Sequence, residues 1–181
     1  MRDLLDETEN LNLTDNIELQ DIPEIDLYMD QVIQIFESKL SNYKRNEDDK
    51  ILTKTMINNY VKGKLLMPVK NKKYSKEHII LMSFIYNLKG ALSISDIKKL
   101  LEKIVVDIED GNDVNIEETY SKYLDINKIN SENFKEEVRI INEEIEKQNI
   151  NKNKELILAS ALIDKANMYR KLAEKIIDEN N

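Results

Sequence analysis

Three observations predict a mostly α-helical protein. The 181-residue chain has only three glycines and two prolines, so turns are few and regular segments long, which favours helices over a many-stranded sheet. Apolar residues recur at helical spacing in successive segments. Ser, Thr or Asn stands just before several of those segments, where a helix needs its N-cap. Apolar residues make up 41% and charged residues 34%. That balance fits one sizeable core, or a small domain with a helical extension.

Residues 1–20 read as an acidic, flexible tail. Asp3, Asp6, Glu7, Glu9, Asp15 and Glu18 are interspersed with leucines that keep no period, and such a stretch buries too little to offset its ordering entropy. Pro23 suits a first helical turn. Ile25, Met29, Val32, Ile33, Phe36 and Leu40 follow at helical spacing, predicting a helix over 24–41 and then a polar loop. Thr53 can cap a short helix to Lys62, with Gly63 as its stop. On it Ile57 and Tyr60 face inward, while Thr55, Asn58, Asn59 and Lys62 face outward. Leu65, Leu66 and Val69 flank Pro68, and Lys70 to Lys73 make a basic turn before Tyr74. This stretch predicts a small two-stranded hairpin without a tip glycine. Ser75 caps a helix over 76–89, broadly apolar from Ile79 to Leu88 and ended by Gly90. Ser93 with Asp96 forms a capping box for a helix over 94–106, striped by Ile97, Leu100, Leu101 and Ile104.

The polar run after Asp107 marks a boundary, giving a tail at 1–20, a domain at 21–107 and a helical C-terminal extension at 108–181. Within the extension, Asn115 with Glu118 caps a short helix to about Leu124. Ser131 caps another at 132–148, striped by Phe134, Val138, Ile141 and Ile145. A last helix spans 153–178. Fourteen of the twenty-two residues from Leu156 to Ile177 are apolar, counting Ala and Tyr. That face is too wide for a surface helix packed on one side, so this helix is either central to its half or shared with a second subunit.

Charge is unevenly distributed. Residues 39–76 carry a net +8 within a chain of net −8, leaving −16 elsewhere. A basic island in an acidic protein points to a surface that meets a polyanion. The order of elements around it (helix, short polar helix, basic hairpin, two apolar helices) is that of a winged helix-turn-helix. A short helix with Thr and Asn outward can enter the major groove and reach base edges, an Asn bonding an adenine at two points. Lysines on the hairpin can neutralise phosphates and fix register.

The run TMINNYVKGKLLMPVKNKKYSKEHIILMSFIYNLKGALSISDIKKLL resembles the DNA-binding domain of MerR-type regulators. Tyr60, Gly63, Leu65, Leu66, Pro68, Tyr74 and the stretch Ser93–Leu101 fall in that family's order. From IPEIDLYMDQV onward the chain is also similar to a family of small uncharacterised proteins of low-GC Gram-positive bacteria, itself regarded as MerR-like. The resemblance implies a recognition helix carrying Thr53, Lys54, Thr55, Asn58, Asn59 and Lys62. It implies a wing over 69–74 carrying Lys70, Lys72, Lys73 and Tyr74. The recognition helix departs from the pattern in having Thr55 and Asn58 where arginines are usual.

Other chemistries find little support. Cysteine is absent and His78 is the sole histidine, so disulfides, thiolate metal sites and imidazole clusters are excluded. No glycine-rich phosphate loop occurs, and no Ser has a plausible base partner. The expectation is a non-enzyme without metal or cofactor, cytoplasmic, with no membrane span. It binds double-stranded DNA as a transcriptional regulator, as a homodimer through its C-terminal helices. The alternative is a non-catalytic protein–protein interaction module that keeps the winged-helix fold without DNA readout.

Overall fold

The computed structural model describes residues 8, 11–148 and 152–179. It is mostly helical, with one two-stranded antiparallel sheet. Two compact units are present, residues 15–125 and residues 126–179 together with those before 15. Among the described residues no helix is long and apolar enough to cross a membrane.

The first unit opens earlier than the tail reading expects. Ile17 and Ile22 are buried, and a 3₁₀ turn, Leu19–Asp21, lies between them. A long-range contact holds this segment: the Tyr120 hydroxyl donates to the Ile17 carbonyl at 2.7 Å. The rest of the predicted tail, residues 1–7, 9 and 10, lies outside the described residues.

The helix expected over 24–41 begins later. Leu27–Tyr28 is strand β1, and helix α1 spans Met29–Leu40. Pro23 therefore precedes the strand rather than starting the helix, and Ile25 is 69% exposed. The Tyr28 N–H donates to Gln31 Oε1 at 2.9 Å, satisfying a helix-start donor. Helix α2 is Lys54–Lys62, with Thr53 Oγ1 accepting the Met56 N–H at 3.2 Å. Strand β2 is Lys73–Tyr74, α3 is Lys76–Leu88 and α4 is Ile94–Glu109. Ser93 caps α4 by accepting the Asp96 N–H at 3.1 Å.

The sheet differs from the predicted hairpin. β2 pairs with β1, Leu27 with Tyr74 and Tyr28 with Lys73. Where the hairpin is expected, an isolated bridge joins Lys70 to Lys73. Asn71 and Lys72 both have positive φ, 52° and 60°, as the two central residues of a type I′ turn require. The Lys73 N–H closes this turn on the Lys70 carbonyl at 2.9 Å. Asn takes the left-handed region readily and Lys72 is held there by the closure, so no tip glycine is needed. Gly63 serves close approach instead: a Cβ there would lie 2.8 Å from Leu65 Cδ1, while Lys64 is the left-handed residue, at φ 59°.

α3 is the central element. Ile79, Ile80, Leu81 and Met82 are each fully buried, as is Ile85, so α3 is surrounded on all sides. Around it lie Val32 and Phe36 of α1, Ile57 and Tyr60 of α2, and Ile97, Leu101 and Val105 of α4. Helix α5 spans Ile116–Lys147 without a break. Ser131, expected as a cap, is an interior residue of it, so the two short helices expected at 115–124 and 132–148 are one. The first part of α5 completes the core, with Phe84, Tyr120 and Tyr123 forming an aromatic cluster at centroid distances of 5.1–5.9 Å. Burial pushes the Tyr120 hydroxyl up to about 12.

The second unit is a helical hairpin of α5 beyond Asp125 and α6, Lys154–Glu179. Glu146 pairs with Lys154, and Glu137 with Lys165 at 2.8 Å, an order that makes the two helices antiparallel. Val138, Ile145, Leu158 and Ile177 are buried, but Leu156, Ile163, Met168, Tyr169, Leu172 and Ile176 are exposed. Much of the apolar surface of α6 is therefore exposed among the described residues.

Candidate nucleic-acid interface

The site is built on α2 and on the basic turn at 70–73. Ile57 and Tyr60 anchor α2 in the core at 0% and 6% exposure. Helical geometry then turns Lys54, Thr55, Asn58, Asn59 and Lys62 outward, and all five are exposed. Thr53, half-buried, is occupied as the N-cap. Lys62 closes the C-terminal end of α2, where a cation complements the helix dipole.

Lys70 and Lys72 are exposed on the turn, and Lys73 is half-buried in β2. The Lys73 ammonium lies 5.3 Å from the centre of the Tyr28 ring across the strand pair, a cation–π contact that holds it at the surface. Tyr74 differs from the others. It is 3% exposed, and its ring meets His78 edge-on at 5.7 Å. Burial raises its hydroxyl's pKa. It packs the base of the turn rather than presenting a free side chain.

Helix and turn flank one open cleft of about 570 Å³. Asn58 and Lys62 of α2 line it, as do Lys72 and Tyr74. The remaining lining comes from residues that sequence reasoning did not select: Tyr28, Met29, Asp30, Val61 and Val69. Asp30 is its one acid. Its carboxylate holds the Lys54 ammonium at 2.7 Å, with both side chains well exposed, so the pair contributes little stability but neutralises a cation of this face. A two-residue strand has no periodicity to read, and that is why β1 and the residues at its end escaped notice. Thr55, Asn59 and Lys70 are on the same two elements but do not line the cleft.

Behind this face lies the chain's one imidazole. His78 is 6% exposed. Its Nδ1 accepts the Ser75 N–H at 3.2 Å, and its Nε2–H donates to the Met67 carbonyl at 3.2 Å. Burial lowers its pKa, and the neutral ring ties the turn to the start of α3. Lys76 is a second tie. It reaches Glu24 at 2.6 Å and Glu117 at 2.9 Å, and these carboxylates, Glu117 first, raise its pKa. No group of three or more metal-ligating side chains occurs among the described residues.

Residues 17–123 match the family described as a domain of unknown function, DUF1836. The chain belongs to this family. The matched span runs from buried Ile17 to Tyr123 of the aromatic cluster, so the family's domain and the first compact unit nearly coincide. No curated protein and no solved structure matches the chain.

Proposed function

We propose that the 15–125 unit is a non-catalytic winged helix-turn-helix, MerR-like in arrangement, through which the chain binds duplex DNA and regulates transcription in the cytoplasm. In this reading α2 enters the major groove, with Thr55, Asn58 and Asn59 at base edges. Lys54, Lys62, Lys70, Lys72 and Lys73 meet phosphates, and Tyr74 supports the turn from beneath. One observation carries the proposal: the outward polar face of α2 and the lysine turn flank the same open cleft, through Asn58, Lys62 and Lys72. The burial of Tyr60, Leu65, Leu66 and Tyr74 fits the structural positions of the MerR-like pattern. The exposed apolar residues of α6 support a homodimer through the C-terminal helices, which would pair with a palindromic site.

An electrophoretic shift series across salt tests this. Binding to duplex DNA appears at low salt, and Lys70→Gln with Lys72→Gln and Lys73→Gln weakens it and reduces the salt slope by about three, one per phosphate contact. No binding at low salt, or an unchanged slope in the triple variant, rejects the reading.

The second reading is a protein-binding module, favoured by one feature: Asp30 faces the cleft beside Met29, Val61 and Val69, a lining suited to an apolar side chain. Asp30→Asn separates the two. If the cleft meets phosphate, this change removes a repelling charge and frees Lys54, so duplex affinity rises several-fold at low salt. If the cleft takes a peptide, duplex binding is absent from both proteins.

A further inference from the structure

The lysines of the 70–73 turn divide between two clefts. Lys72 lines the one described above, whereas Lys70 and Lys73 line a second, of about 410 Å³. Its apolar lining comes from Met67, Pro68 and Ile108. Ser75 and His78 also border it, but their hydrogen-bonding capacity is engaged internally. The Ser75 hydroxyl donates to Glu77, and the imidazole bonds Ser75 and Met67. The polar groups left to a ligand are four charges: Lys70 and Lys73, and the carboxylates of Asp26 and Glu109.

None of these four forms an ion pair among the described residues. Lys39, Lys44, Lys54 and Lys76 of the same unit each close onto an acid within 2.9 Å. The second cleft is thus lined by two charges of each sign, none of them in an ion pair among the described residues, with the Lys73 ammonium also resting over the Tyr28 ring. A simple anion entering it meets two carboxylates, and a simple cation meets two ammonium groups; each arrangement repels the ligand that carries one sign alone. A molecule bearing both signs satisfies both pairs. The volume lies within the range of about 300–1,000 Å³ usual for small-molecule sites.

We propose that this cleft binds a small amphoteric ligand of amino-acid to dipeptide size. Its carboxylate meets Lys70 and Lys73, its ammonium meets Asp26 and Glu109, and an aliphatic side chain rests on Met67, Pro68 and Ile108. The ligand would withdraw two lysines that the DNA-binding reading assigns to phosphates, so it acts as a negative effector. That second step rests on the proposed function; the binding site does not.

Titration of the ¹⁵N-labelled full chain with L-leucine and with glycyl-L-leucine tests the site. Isovalerate and isoamylamine serve as probes of one charge each. At least one zwitterion, at up to about 10 mM, gives saturable shifts of the Ser75, Ile108 and Glu109 amides. Each single-charge probe binds at least about tenfold more weakly. Lys70→Gln with Lys73→Gln, and Asp26→Asn with Glu109→Gln, each weaken the zwitterion by about tenfold while helical circular dichroism is unchanged. No shift with either zwitterion, a single-charge probe binding equally well, or a double variant binding as tightly as the parent overturns the site. The bound zwitterion also lowers duplex affinity in the shift assay, and undiminished duplex affinity at saturation overturns the effector role. Absence of DNA binding in every condition rejects the proposed function and leaves the amide titration to decide the ligand site alone.

Discussion

Two helices of this chain are apolar on more than one side, and they meet opposite environments. α3 buries Ile79 through Met82 together with Ser83 and Ile85. α6 is also broadly apolar, yet it buries Leu158 and Ile177 and leaves Leu156, Ile163, Leu172 and Ile176 exposed. Apolar breadth says that a helix needs cover on several sides. It does not say whether the cover comes from the same chain. α3 is covered by α1, α2, α4 and the start of α5; α6 pairs with the antiparallel α5 and, among the described residues, leaves much of its apolar surface exposed.

The largest expected contrast is in core truncation. Ile80→Ala in α3 should cost about 2–5 kcal/mol, the range for emptying a well-packed site. Leu172→Ala in α6, 58% exposed, should change the stability of an isolated chain by no more than about 0.5 kcal/mol. Urea denaturation of both variants at low protein concentration measures the difference, and equal losses would erase the contrast.

Next in size is the contact that closes the start of α5 against the segment before α1. Tyr120→Phe keeps the ring against Phe84 but strips the Ile17 carbonyl of its donor. The buried carbonyl then stands unsatisfied, at a cost of about 1–3 kcal/mol. Loss of hydrogen-exchange protection around Leu19–Asp21 in this variant would locate the effect.

A variant of α6 probes its exposed apolar residues directly. Ile176→Glu with Leu172→Glu should leave the melting temperature of dilute protein nearly unchanged and abolish any rise of mass with concentration in light scattering. A parent chain that stays monomeric at tens of micromolar, near the micromolar range of a modest association, removes α6 as a subunit interface.

The smallest effect concerns pH. Burial lowers the His78 pKa, and its Nδ1 faces the Ser75 N–H as an acceptor. The unfolded chain therefore takes up a proton near pH ~6.5 that the folded chain refuses until lower pH. The stabilising preference for the neutral ring is complete above that value and is lost as pH falls through the depressed folded value. Melting temperature should decline over this window, and the decline should flatten in His78→Gln.

Much of the local structure was legible before any coordinates. Thr53, Ser75 and Ser93 stand at helix starts, and Ile57 with Tyr60 marks the inner face of α2, because caps and faces depend on residues within one turn. The outward placement of Asn58 and Lys62 followed from the same spacing. The cleft they line was not legible. A third of its lining residues, Tyr28, Met29 and Asp30, are brought there by a two-residue pairing with β2 across more than forty residues. The start of the core at Ile17 was equally hidden, since an isolated isoleucine in an acidic stretch carries no period. Ser131 misled for a related reason: a capping residue is also tolerated within a helix when its neighbours continue the stripe.

By itself, then, the sequence determined a mostly helical chain, the bounds of α2, α3 and α4 to within a few residues, and a basic segment with its polar side chains turned outward. These are consequences of short-range geometry, in which each residue's neighbours suffice. The tertiary structure alone decided that β2 pairs with β1, that Asp30 neutralises Lys54, that His78 is buried as a tie, and that two clefts share the lysines of one turn. Each of those depends on which distant segments meet, and that is settled by the packing around α3 as a whole.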